Sequence, residues 1–165
     1  MRVGKNTLAM ASAALFASAG AGAGTATGTF TVQATISSAC LVSATTLNFG
    51  TYNPASATAL TGTSTISVNC TSGSPYTTAL NVGSGGGTFA ARTLLNGSNT
   101  LDFNLYRDSA YTQVWGDGSG STFTVAGTGS GLLTANTITV YGQVPISQDK
   151  PVGTYTSLIT VTVSY

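Results

Sequence analysis

Apolar side chains in this chain recur, run after run, at every second position, the period of a strand with one buried face. Gly28, Phe30, Val32, Ala34 and Ile36 share one face, with Thr27, Thr29, Thr31, Gln33 and Thr35 opposite. Ile66, Val68 and Cys70 alternate with Thr65, Ser67 and Asn69, and Tyr76, Thr78, Leu80 and Val82 fall on one side. Leu101, Phe103 and Leu105 repeat the pattern, as do Ile138, Val140 and Val144. The last run sets Tyr155, Ile159, Val161, Val163 and Tyr165 against Thr156, Thr160, Thr162 and Ser164. Turn formers separate the runs: Asn53-Pro54, Ser72-Gly73-Ser74-Pro75, Gly83 to Gly87, Asn96-Gly97, Gly116 to Gly120 and Lys150 to Gly153. Many short strands at such spacing predict an antiparallel β-sandwich.

Composition closes off the other classes. The 165 residues suit one domain, and the chain holds no Glu, two Lys, 30 Thr and 19 Ser. Helix formers are scarce, whereas Thr, Val, Ile, Tyr and Phe suit a pleated surface. A helical bundle and a doubly wound α/β enzyme are excluded on that ground. Only 5% of residues are charged. Nucleic-acid binding, which needs a concentrated positive patch, is excluded too.

The first 23 residues read as an export leader. Arg2 and Lys5 precede an apolar run from Leu8 to Ala17, and Ala21-Gly22-Ala23 fits the small-x-small cleavage rule. Cleavage is expected after Ala23, with Ala21 as second choice. The apolar run falls short of the roughly 20 residues that span a bilayer, so a membrane anchor is not expected. Beyond the leader, Arg92, Arg107 and Lys150 face Asp102, Asp108, Asp117 and Asp149, a net charge of −1. Export to an oxidising compartment, with two cysteines and no His, predicts a Cys40–Cys70 disulfide.

Chemistry finds little footing. Without His there is no Ser-His-Asp triad. Four scattered Asp make a carboxylate pair from Asp102 and Asp108 a remote candidate. Asp117 to Ser121 resembles a calcium loop only faintly, lacking the sixth-position Gly and the closing Glu, and reads as a hairpin loop. Gly83 to Gly87 has no following Lys and reads as a turn, not a phosphate cradle. Asn96-Gly97-Ser98 and Asn69-Cys70-Thr71 match the glycosylation triplet, a match common by chance. Trp115, Tyr106, Tyr111 and Tyr141 are a candidate sugar platform, with packing the favoured role. No enzyme activity, cofactor or metal is expected.

Several short motifs, in order along the chain, carry a family resemblance. They are Cys40-Leu41-Val42, Leu47-Asn48-Phe49-Gly50-Thr51-Tyr52, Val68-Asn69-Cys70-Thr71 with Pro75-Tyr76, and Leu105-Tyr106-Arg107-Asp108 with Trp115-Gly116. Tyr141-Gly142-Gln143-Val144-Pro145, Pro151-Val152-Gly153-Thr154-Tyr155 and the closing Val161 to Tyr165 complete the set. Together they are similar to spore coat protein U-type domains, which include pilin subunits of Csu-type archaic chaperone–usher pili. One departure is Thr156-Ser157, where many members carry an Asp.

The resemblance implies an incomplete immunoglobulin-like sandwich lacking its last strand, completed by a strand from another molecule. It divides the chain into a leader (1–23), an N-terminal donor extension (24–36) and the sandwich body (37–165). Phe30, Val32, Ala34 and Ile36 become the inserting face, and Ile159, Val161 and Val163 line the acceptor groove. The disulfide would tie the start of the body to an interior strand. The implied partners are other copies or related pilins, a periplasmic chaperone and an outer-membrane usher, with the fibre on the cell surface supporting attachment and biofilm formation. The residues alone leave another reading of 27–36 open, as the first strand of the chain's own sandwich. Two alternative functions follow: a self-complemented secreted or spore-coat protein, and an adhesin or carbohydrate-binding module.

Overall fold

The computed structural model describes Gly20 and residues 22–165; the expected leader lies for the most part outside the described residues. The chain divides between Thr35 and Ile36 into two units. In the first, the described residues carry neither helix nor strand. Residues 27–36, whose alternation predicts a half-buried strand, join no ladder. Phe30, Val32 and Ile36 are 88%, 82% and 86% exposed. Among the described residues this apolar face is exposed.

The second unit is all β. Its strands are β1 (Cys40–Ala44), β2 (Leu60–Cys70), β3 (Pro75–Leu80), β4 (Arg92–Asn96), β5 (Asn99–Tyr106), β6 (Val125–Thr128), β7 (Asn136–Val144) and β8 (Val161–Ser164). They form a five-stranded sheet in the order β1-β2-β7-β5-β4 and a three-stranded sheet in the order β6-β3-β8. Every strand pair is antiparallel. No helix among the described residues is long and apolar enough to cross a membrane.

The period-two faces supply the core. Ile66 and Val68 from β2, Tyr76 and Leu80 from β3, Leu101, Phe103 and Leu105 from β5, and Val140 and Val144 from β7 are all buried. Turn chemistry sets the connections. Gly97, at φ +60°, opens a two-residue hairpin between Asn96 of β4 and its register partner Asn99 of β5. The predicted disulfide is present: Cys40 and Cys70 are register partners at the start of β1 and the end of β2. Closing that 30-residue separation stabilises by about 3–4 kcal/mol in the chain-entropy model.

Polar groups inside the sandwich are satisfied locally. Arg92, 0% exposed, donates from Nε to the Asn81 carbonyl (3.1 Å), from one terminal nitrogen to Asn104 Oδ1 (2.6 Å) and from the other to the Trp115 carbonyl (2.6 Å). Its guanidinium also lies over the Phe89 ring. Burial pushes its pKa down to about 10, with Tyr106 acting the other way. Trp115 is buried as well, and its indole N–H donates to the Thr78 carbonyl (3.2 Å). One cation therefore knots β4, β5, the 115 loop and Asn81, the residue that follows β3, together through neutral acceptors. Arg92→Ala would strand several of these acceptors and empty a large volume. Denaturant unfolding should show a loss of about 3–5 kcal/mol, far more than Arg107→Ala. A loss below about 1 kcal/mol would contradict this role.

Candidate functional site: an unpaired strand edge beside an apolar cleft

β8 lies at the rim of the smaller sheet, with β3 on one side and, among the described residues, no strand on the other. The direction of its backbone groups follows from the bonds upstream. Thr156 exchanges both backbone bonds with Leu95, the Leu158 carbonyl accepts from Ser84 N–H (2.9 Å), and the Thr160 carbonyl accepts from Asn81 N–H (3.2 Å). In an antiparallel ladder such residues alternate with residues whose N–H and C=O point the opposite way. The even-numbered residues from 156 to 164 therefore bond toward β3 and β4. Ser157, Ile159, Val161 and Val163 direct their backbone groups to the free edge, where none has a partner among the described residues.

Side chains add the second half of the site. Ile159, Val161 and Val163 are half-buried, alternating with exposed Leu158, Thr160, Thr162 and Ser164. Beside them opens a cleft of about 950 Å³. Its floor is the core itself: Ile66, Leu80, Leu101, Leu105, Val140 and Val144. One wall is the segment Thr154–Val161, and the opposite wall is Ala44–Tyr52. Ile159 and Val161 line the cleft; Val163 packs against the core beyond it.

The opposite wall has a sequence basis. Gly62 and Gly142 are register partners in β2 and β7, and Leu47 and Phe49 rest on them. A Cβ at Gly142 would stand 2.8 Å from Leu47 Cδ1 and from Phe49 Cζ, so the glycine lets both side chains lie directly on the sheet, and any larger residue would make them shift. Asn48 Oδ1 accepts from Gly50 N–H (2.8 Å), and Gly50 takes φ +76° to turn the wall outward. Tyr52 then donates its hydroxyl to the Pro145 carbonyl (2.9 Å) and accepts from Gln148 N–H (3.0 Å). The Leu47, Phe49 and Tyr52 spacing is visible in the sequence, yet its place as a cleft wall is not.

The cleft has a direction. Cys40, Cys70, the Thr71–Ser74 turn and the Gly129–Asn136 loop gather at one pole, tied by bonds from Gly131 N–H to the Cys70 carbonyl and from Gly129 N–H to the Ser74 carbonyl. β8 runs toward this pole, since Val161 pairs with Leu80 and Ser164 with Thr77. The β4–β5 hairpin and the 145–155 segment form the far pole, where Gln148 bonds both backbone groups of Asp102.

The remaining candidates fall elsewhere. Trp115 belongs to the core, so it is no platform. Tyr106, Tyr111 and Tyr141 pack edge to face, with centroids 5.6 and 6.4 Å apart. Burial raises the Tyr106 pKa, Arg92 opposes the rise and Asp108 adds to it. Asp102 stands exposed on β5. The Asp117 carboxylate accepts from Ser119 Oγ (2.6 Å) and N–H (2.9 Å), which holds its pKa below the usual range and closes a local turn. Asp108 accepts from Thr112 Oγ1 (2.7 Å) and Gln113 N–H (2.8 Å).

Known proteins can now be set beside this geometry. The sequence profile of the Spore Coat Protein U domain matches residues 26–162. The chain belongs to the Spore Coat Protein U domain family. No curated protein matches it. Among solved structures, the spore coat U domain is similar to a chain of the chaperone–tip adhesion subunit pre-assembly complex from archaic chaperone–usher Csu pili of Acinetobacter baumannii. The TM-score is 0.56 at 22% identity, and the match covers 79% of this chain but 40% of the other, so the likeness is one of fold. The Leu105–Asp108 motif of this domain ends in the carboxylate that closes the 108–113 loop.

That carboxylate makes a pH test. Partial desolvation alone would raise the Asp108 pKa; bonds from the Thr112 hydroxyl and the Gln113 and Thr112 amides outweigh it and hold the value below the usual range. A depressed carboxyl stabilises the folded loop above its ordinary pKa of about 4, and the contribution disappears as pH falls through the lower folded value. The Thr112 and Gln113 amide resonances should therefore titrate with a midpoint below that of a free Asp, and Asp108→Asn should abolish the titration. A midpoint at or above the free value would contradict it.

Proposed function

We propose that this chain is a structural pilus subunit of the chaperone–usher type, polymerising by strand donation. The observation that carries the reading is the free edge of Ile159, Val161 and Val163 beside an open cleft floored by core residues. The exposed Phe30, Val32, Ala34 and Ile36 face supplies an extended segment of matching period. Residues 25–36 extend over roughly 40 Å at about 3.3 Å per residue, comparable to the eleven-residue edge from 154 to 164. Burying Phe30, Val32 and Ile36 contributes about 5–9 kcal/mol as an upper estimate, with ladder bonds in addition. Ala34 adds little area and sets the spacing.

Chain reach says whose tail fits which way. Ile36 and Cys40 are four Cα steps apart, at most about 14 Å. β2, which runs from pole to pole, extends about 33 Å. A donor antiparallel to β8 ends at the far pole, beyond the reach of its own Cys40. The chain's own tail fits only parallel to β8, as a hairpin with β1. Antiparallel pairing, the more stable per residue and the arrangement of every other strand pair here, is thus reserved for a neighbour's tail. Donation of this kind is head to tail and does not close, which yields a filament.

On this reading a periplasmic chaperone covers the cleft in transit, an outer-membrane usher exchanges it for the next subunit's residues 24–36, and residues 1–23 direct export. The product is a surface fibre supporting attachment and biofilm formation. Full-length protein carrying Phe30→Asp and Val32→Asp should form no ladder of polymers on unheated denaturing gels, while the unaltered chain does. A peptide of residues 25–36 should bind the double variant with its cleft intact. Polymers that persist in the double variant would overturn the donor assignment.

A further inference from the structure

The two poles of the body carry exposed apolar side chains that the core does not use, and of these only Val152, at the cleft's end, also borders the cleft. At the disulfide pole, Leu133 is 101% and Leu132 43% exposed, on a loop pinned to β2 by Asn69 Nδ2 donating to the Leu132 carbonyl (3.2 Å). Leu41, the register partner of Asn69, is exposed on the neighbouring strand. At the far pole, Val152 is 99% exposed, with Ile146 beside the Pro145–Gln148 clamp also exposed. The first loop is held by backbone bonds and the second by side-chain bonds from Tyr52, Gln148 and Tyr155, yet both present aliphatic side chains to water. A chain with so few charges has little to offset such patches.

Strand donation brings these poles together. A neighbour's tail lying antiparallel to β8 ends with Ile36 at the acceptor's far pole. Only Ser37, Ser38 and Ala39 then separate Ile36 from the neighbour's Cys40, at its disulfide pole. Within about 14 Å, the disulfide pole of one copy must face the far pole of the next.

We propose that successive copies make a second, body-to-body contact in the fibre, in which Leu132 and Leu133 of the donor copy pack on Ile146 and Val152 of the acceptor copy. The inference rests on the strand-donation reading above. The contact fixes the angle between subunits, which a three-residue connection alone leaves free. Opposite patches on opposite poles form a heterologous interface, so the contact repeats along the fibre without closing.

The test uses the full-length chain, exported in its own host, with Leu133→Cys and Val152→Cys combined. Both positions are fully exposed, so folding is not at stake. Polymers should become covalently linked: a ladder that survives boiling and collapses on reduction. Leu133→Cys alone should give no such ladder. Polymers that form normally before boiling yet yield no covalent ladder would overturn the contact and leave strand donation standing. Covalent dimers from Leu133→Cys alone would mean like poles meet, which also overturns it. Absence of polymers in the unaltered chain would remove the donation reading, and this one with it.

Discussion

A sheet edge whose hydrogen-bonding groups have no partner is the constraint from which the rest of this structure follows. Ile159, Val161 and Val163 turn their backbone polar groups to open space and their side chains toward the core. Exposed edges invite pairing, and natural proteins blunt them with charges, proline or a covering element. Here the residues from Leu158 to Tyr165 carry no charge and no proline. Instead a cleft opens beside the edge, its far wall seated on the sheet where Leu47 and Phe49 rest on two glycines. The edge is shaped to be paired.

What keeps the body folded with its core open on one side is polar and covalent as much as apolar. Arg92 bridges three carbonyl or amide oxygens from separate segments, and Trp115 is fixed by both its carbonyl and its indole nitrogen. The disulfide closes the opposite pole. Arg92 reaches the edge segment from its paired side, through Asn81 and its bonds to Thr160, so the floor of the cleft and the inner side of the edge are held while the outer side stays unpaired among the described residues. Rigid acceptors bind an extended segment with less ordering cost on their own side.

The sequence was legible where one face of a strand meets the core. The alternation in β2, β3, β5 and β7 names the buried residues almost one for one, because a period of two leaves no other face to bury. It was silent on β4, whose Arg-Thr-Leu-Leu-Asn buries the cation and sets two leucines side by side, and on β6, four residues with a glycine. Nothing local marks Arg92 as interior, since its burial depends on oxygens brought from Asn81, Asn104 and Trp115. At the site, the alternation of residues 155–165 was readable, but the open side of β8 was not, because an edge is a property of topology. Residues 27–36 posed the converse problem: their pattern promised burial, and the described fold buries none of it. On the proposed reading the missing surface belongs to another molecule, which no period within one chain can reveal.

Amide hydrogen exchange at β8 and its upstream extension tests the central claim most directly. In the monomer, the amides of Ile159, Val161 and Val163 should exchange rapidly while those of Thr160 and Thr162 are protected. In the polymer all five should be protected. Slow exchange at Ile159, Val161 and Val163 in the isolated monomer would mean that the edge is already paired, and the account would be wrong.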